Sequence, residues 1–130
     1  MRIEQIDHVA LNVRNLERSK RWYQDVLGLE RRYQEAWGEY PIMLGAGSTC
    51  LALFLAQEPA TDLAARDKTV AMRHLAFRVN QKNFQMAQTE LRERGLAFEF
   101  EDHGIAHSIY FSDPDGHQLE ITTYDLVPHP

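Results

Sequence analysis

Two stretches of this chain repeat one another: His8-x-Ala10-Leu11-x-Val13 and His74-x-Ala76-Phe77-x-Val79, with His74 standing 66 residues after His8. A repeat of that kind in a chain of 130 residues means that one supersecondary unit is built twice. Within each copy the apolar residues alternate: Val9, Leu11 and Val13 in the first, Leu75, Phe77 and Val79 in the second. Alternation is the signature of a strand with one buried face. It turns His8 away from the core together with Ala10 and Asn12, and it turns His74 the same way.

The same elements follow each repeat. A helix is predicted from Asn15, a good N-cap, through Leu16, Tyr23, Val26 and Leu27, with Gly28 as its stop. The second runs from about Gln81 through Phe84, Ala87 and Leu91 to Gly95. Three strand-like runs come next in each half: Leu29–Trp37, Tyr40–Gly45 and Ser48–Ala56, then Leu96–Glu101, His107–Ser112 and His117–Tyr124. Each half therefore reads βαβββ. Residues 1–130 read as a single domain, with the first module over 1–56 and the second over 72–125. Gln57–Ala71, with Pro59, is expected to be a connecting loop with one helical turn at Leu63–Arg66, and the tail after Leu126 to be loose. The fold class is α+β, and each sheet has one face left bare by its single helix. His8, Asn12, Cys50, Ala52, Phe54, His74, Arg78, Gln118 and Glu120 fall on those bare faces. They are too polar for a core and too apolar for plain surface, as the wall of a binding cavity would be.

A net charge of −5 without a basic stripe argues against a nucleic-acid partner. No apolar run approaches the roughly 20 residues of a membrane span, and Met1-Arg2-Ile3-Glu4 leads into a strand without the apolar stretch of a signal peptide. With 44% hydrophobic and 25% charged residues, the composition is that of an ordinary soluble globular protein. The single cysteine, Cys50, fits a reducing cytoplasm and a small buried side chain.

The third informative stretch is Ser108–Ile121, SIYFSDPDGHQLEI. Two strands are expected around Asp113-Pro114-Asp115-Gly116, and Glu120, between Leu119 and Ile121, takes the bare face with Gln118 and Thr122. Two imidazoles and one carboxylate thus come from three strands, each on the face away from the core. We read His8, His74 and Glu120 as the ligands of a divalent metal ion. One such histidine alone would be an ordinary hydrogen-bonded core residue; the repeat and the carboxylate change that.

Asp7-His8-Val9-Ala10, Arg73-His74-Leu75-Ala76-Phe77 and Asp113-Pro114-Asp115-Gly116-His117-Gln118-Leu119-Glu120 together resemble the vicinal oxygen chelate superfamily over essentially the whole chain. That superfamily includes glyoxalase I, methylmalonyl-CoA epimerase, extradiol ring-cleaving dioxygenases, fosfomycin-resistance thiol transferases and bleomycin-binding proteins. The resemblance implies paired βαβββ modules forming a cupped mixed sheet around a metal held by His8, His74 and Glu120. It also implies a small-molecule substrate bound through adjacent oxygens, and a homodimer. Two imidazoles and a carboxylate leave about three open positions on the ion, an arrangement associated with Fe(II), favoured here with Mn(II), and open to Zn, Ni or Co.

The branches of the superfamily differ in detail. Glyoxalase I and the epimerase use a fourth ligand on the last strand of the first half, where this chain offers only Ala52 or Phe54. The fosfomycin enzymes share the run Ser108–His117, yet Glu101–Ala106 is acidic where they are basic, and no arginine follows Glu120. Ring-cleaving dioxygenases use three ligands and a tyrosine placed like Tyr110, although the acid–base histidine they carry before the second ligand has no match in Lys68–Arg73. Bleomycin-type binders, the non-enzymatic alternative, normally lack a complete triad. The expectation is a metal-dependent enzyme, a ring-cleaving dioxygenase or related lyase, with an isomerase, a thiol transferase or a small-molecule binder as alternatives. Tyr110 and His107 are the candidate catalytic side chains. Strict pairing around the turn sets Tyr110 out of phase with Glu120, so its facing the site requires a bulge. His103, His117 and His129 are expected at the surface.

Overall fold

The computed structural model describes residues 1–58 and 63–126; Pro59 and residues 127–130, with His129, lie outside the described residues. The chain divides into two units, Met1–Thr61 and Asp62–Pro130. Both carry a four-stranded mixed sheet and at least one helix, so the class is α+β as expected.

In the first unit the elements are β1 (His8–Val13), α1 (Leu16–Leu27), β2 (Glu30–Arg32), α2 (Gln34–Trp37), β3 (Ile42–Ala46) and β4 (Thr49–Leu55), with strand order β1-β4-β3-β2. β1 runs parallel to β4, and the other pairs are antiparallel. Helix α1 starts where Asn15 Oδ1 accepts from the Arg18 N–H at 2.9 Å and ends at Gly28, whose φ of 67° the residue adopts without a Cβ penalty. The helix packs on β3 and β4, burying Tyr23 among Leu11, Val13, Leu44, Leu51 and Leu53. That leaves His8, Ala10 and Asn12 on the other face, beside Cys50, Ala52 and Phe54 of β4.

The long strand expected over Leu29–Trp37 is corrected to three residues. Tyr33 adopts a left-handed conformation at φ 59°, and Gln34-Glu35-Ala36-Trp37, a run rich in helix formers, turns once as α2. The Trp37 ring tilts against Tyr33 with centroids 5.1 Å apart.

The second unit holds a short 3-10 turn at Leu63–Ala65, near the helical turn expected there. It is followed by β5 (Leu75–Arg78), α3 (Gln81–Glu93), β6 (Glu99–Asp102), β7 (His107–Ser112) and β8 (Gln118–Thr123), in the strand order β5-β8-β7-β6. Asn80 caps α3 by accepting from the Asn83 N–H at 2.9 Å. The helix packs on β8, and Phe84 meets Phe100 of β6 edge-on at 6.3 Å. Ile109, Phe111, Leu119 and Ile121 fill the space beneath it.

The β7–β8 connection fixes the register of everything that follows. Asp113 Oδ1 accepts from the N–H groups of Asp115 at 2.9 Å and His117 at 2.8 Å, and Gly116 takes φ 88° to close the loop. Arg66 donates to the Gly116 carbonyl at 2.6 Å, tying the connecting segment to this loop. The strands leave it with Ser112 opposite Gln118 and Tyr110 opposite Glu120.

Leu119 is fully buried on the central strand, whereas Ile105 is 76% exposed. Leu119→Ala is expected to lower unfolding free energy by about 2–5 kcal/mol and Ile105→Ala by no more than about 0.5 kcal/mol, measured by urea denaturation.

Candidate metal centre

Strand alternation assembles one side of the second unit's sheet from Ser108, Tyr110, Gln118, Glu120, Thr122, Ala76 and Arg78, with Glu99 and Glu101 on the neighbouring strand. Glu120 sits at its centre with a side chain only 10% exposed. Ser108 Oγ donates to Glu120 Oε2 at 2.7 Å and shares a second hydrogen bond with Thr122 Oγ1 at 2.9 Å. The other carboxylate oxygen, Oε1, lies 2.9 Å from Nε2 of His74, the residue just before β5. An ion with bonds of about 2.1 Å at right angles needs neighbouring ligand atoms about 3 Å apart. The His74–Glu120 pair has that separation, which is also that of a hydrogen-bonded ion pair, and its nitrogen and oxygen are donor types that a divalent metal accepts.

In the first unit, Asp7 Oδ2 lies 2.8 Å from His8 Nδ1. With its proton on Nδ1, facing that carboxylate, His8 would offer the Nε2 lone pair, the arrangement found in metal-binding histidines. Ala52 is buried between Ala10 and Met43, and the Phe54 ring packs edge-on against Tyr40 at 5.7 Å. Neither side chain carries a donor atom. Among the described residues, no group of three or more His, Cys, Asp or Glu side chains is gathered as a metal cluster.

Tyr110 needs no bulge. The five residues 113–117 of the loop make Tyr110 and Glu120 direct partners, and directly opposed residues share a face. The expectation that they are out of phase is corrected by that loop length. Its hydroxyl lies 2.9 Å from Nε2 of His103, and its ring meets the His74 ring edge-on at 5.7 Å. Burial, and then the charges of Glu120 and Glu101, push the Tyr110 pKa above the ordinary tyrosine value.

His107 is a correction. It stands three residues before Tyr110 on the same strand and so faces the opposite side, against the Phe100 ring at 5.2 Å and 3.5 Å from Asp102. The imidazole beside Tyr110 is His103, which sequence reasoning left at the surface. It follows directly after a strand whose Glu101 shares the Tyr110 face. The turn at Gly104, with φ 82° and its N–H bonded to Asp102 Oδ1 at 2.8 Å, folds it back over that face. The Asp102-His103-Gly104 turn was the available signal.

Residues 5–121 match the Glyoxalase/Bleomycin resistance protein/Dioxygenase superfamily, and the chain belongs to it. A catechol-2,3-dioxygenase of Bacillus subtilis (strain 168) is 28% identical over 120 residues, which are 89% of this chain and 40% of that protein. The metallothiol transferase FosB of Staphylococcus epidermidis is 29% identical over 127 residues, 95% of this chain and 86% of that one. A solved structure of a glyoxalase/dioxygenase from Nostoc punctiforme superposes with a TM-score of 0.73 at 28% identity, covering 92% of this chain and 90% of its own. The chain thus spans less than half of the dioxygenase and most of the transferase. No helix among the described residues is long and apolar enough to cross a membrane.

A raised tyrosine pKa means that the folded state disfavours the tyrosinate. Its contribution to stability is complete below the unfolded value of about 10 and is lost as pH rises through the folded value. In the metal-free chain, Glu120→Gln is expected to bring the Tyr110 titration down. Tyrosinate absorbance, with Tyr110→Phe as the subtraction, reads the shift.

Proposed function

We propose that this chain is a divalent-metal-dependent enzyme that binds a small molecule through two adjacent oxygens, with ring-cleaving dioxygenase or related lyase chemistry. The observation that carries the reading is the His74 Nε2–Glu120 Oε1 pair at 2.9 Å, with Tyr110 directly opposite Glu120. His8 is the third ligand in this reading, through Nε2. Fe(II) or Mn(II) suits two imidazoles and one carboxylate.

A bound ion would supply Lewis acidity toward the substrate oxygens. The chain's own groups do the rest. Ser108 holds Glu120 in one orientation. Tyr110 and His103, hydrogen-bonded to each other, form a path for a proton between a substrate hydroxyl and the imidazole. Glu99 and Glu101 lie on the same face as Glu120 and repel a phosphonate dianion, which favours a catechol-like diol over a fosfomycin-like substrate. The absence of a donor at Ala52 and Phe54 favours three-ligand chemistry over a four-ligand isomerase.

Each sheet leaves two edges within its own unit, and the superfamily's small members close such modules in pairs. The chain is therefore expected to be a homodimer, with His8 and the His74–Glu120 pair supplied either by one chain or by two. Mixing His8→Ala with Glu120→Ala chains separates these forms: shared sites restore one intact centre per mixed dimer, and self-contained sites restore none.

Glu120→Ala is expected to lose metal retention while the circular dichroism spectrum is kept. Full occupancy in that variant would sink the assignment. In the Fe(II) protein, catechols should drive dioxygen uptake. A thiol adduct of fosfomycin under Mn(II), with no uptake of dioxygen, would move the chain to the transferase branch, and binding of ligands without turnover would make it a binding protein.

A further inference from the structure

The face of the first unit that carries His8 also carries a guanidinium for which the backbone has been cleared. Glu30, Gly45, Cys50 and His8 form one row across β2, β3, β4 and β1. Arg32, two residues after Glu30, shares their face. Its side chain leans back over Gly45: a Cβ placed there would meet Arg32 Cζ at 2.7 Å, Nη1 at 2.8 Å and Nε at 2.9 Å. Gly45 is not among the glycines with positive φ, so its backbone conformation does not call for glycine. The space for the guanidinium does.

Arg32 is also fixed in rotation, because Nη1 donates to the Gly47 carbonyl at 2.7 Å. The Nε/Nη2 edge is the planar fork that pairs with a carboxylate through two parallel hydrogen bonds. Of the residues that β1–β4 place on this face, Arg32 is the single cation, with Glu30 beside it in sequence and Cys50 beyond Gly45. One guanidinium next to a carboxylate suits a monoanion and disfavours a dianion. Two strand spacings of about 4.8 Å put Gly45 about 10 Å across the sheet from His8. That span suits a ring with chelating oxygens at one end and a carboxylate at the other.

We propose that Arg32 and Gly45 form a carboxylate subsite, and that the substrate is a small aromatic acid of the dihydroxybenzoate class. This rests on the proposed metal centre, with His8 as a ligand. The substrate's diol takes the metal end and its carboxylate takes the Arg32 fork. Selectivity among diols then comes from the Arg32–Gly45 end of this face.

Calorimetric titration of the zinc-loaded protein, which has no redox turnover, with 3,4-dihydroxybenzoate, catechol and benzoate tests this directly. The wild-type protein is expected to bind dihydroxybenzoate at least about tenfold more tightly than catechol. That preference should vanish in Arg32→Gln and shrink in Gly45→Ala, with circular dichroism confirming the fold of each. Benzoate has no diol and its carboxylate can itself bind zinc, so its affinity is read in the metal-free protein, where it reports Arg32 and should fall in Arg32→Gln. No preference for the acid in the wild type, or the same preference in Arg32→Gln, overturns the subsite. Dihydroxybenzoate affinity that is unchanged by Glu120→Ala, while benzoate still depends on Arg32, would contradict the metal centre and leave the subsite standing.

Discussion

A carboxylate on the central strand of a sheet, with a side chain only 10% exposed, is the constraint around which the second unit is arranged. Burying Glu120 costs free energy unless its oxygens find partners, and leaving it unpaired would cost several kcal/mol. Ser108 and His74 take one oxygen each. Both partners reach it only because β7 and β5 flank β8 with the right phase, and that phase comes from a loop of five residues closed by Asp113 and Gly116. The Asp-Pro-Asp-Gly turn is thus as much a part of the site as Glu120 and its partners are, since shifting the pairing by one residue would turn Tyr110 to the helix side.

Much of this was legible in the sequence because period-two alternation carries facing and identity together. The histidine repeat, the Asn15 and Gly28 caps of the first helix and the phase of His8, Glu120, Leu119 and Ile121 all follow from local chemistry acting over a few residues. What was not legible depended on loops. The number of residues that a turn consumes decides whether two strands meet in or out of phase, and this reversed the expectation for Tyr110. A reversal at Gly104 brought His103 to Tyr110, while strand parity took His107 to the opposite face. The left-handed Tyr33 cut short the strand expected to run to Trp37.

The two units repeat a topology but not a chemistry. In the first, the bare face is small and apolar around Ala10 and Ala52, with a fixed imidazole at one end of a row and a guanidinium over Gly45 at the other. In the second, the corresponding face is hydrogen-bonded and acidic, with three glutamates, a tyrosine and two histidines. Repetition of the fold supplies matching strand positions for His8 and His74. Divergence on the remaining strands leaves a guanidinium over Gly45 in one unit and a hydrogen-bonded tyrosine–imidazole pair in the other.

Two imidazoles and one carboxylate are proposed as the protein ligands of a single divalent ion. X-ray absorption spectroscopy of the zinc-loaded protein reads those ligands directly. A first shell of nitrogen and oxygen at about 2.0–2.1 Å, with the outer-shell scattering of two imidazoles and no sulfur, is the expected result. A single imidazole, or a sulfur at about 2.3 Å contributed by Cys50, would contradict it.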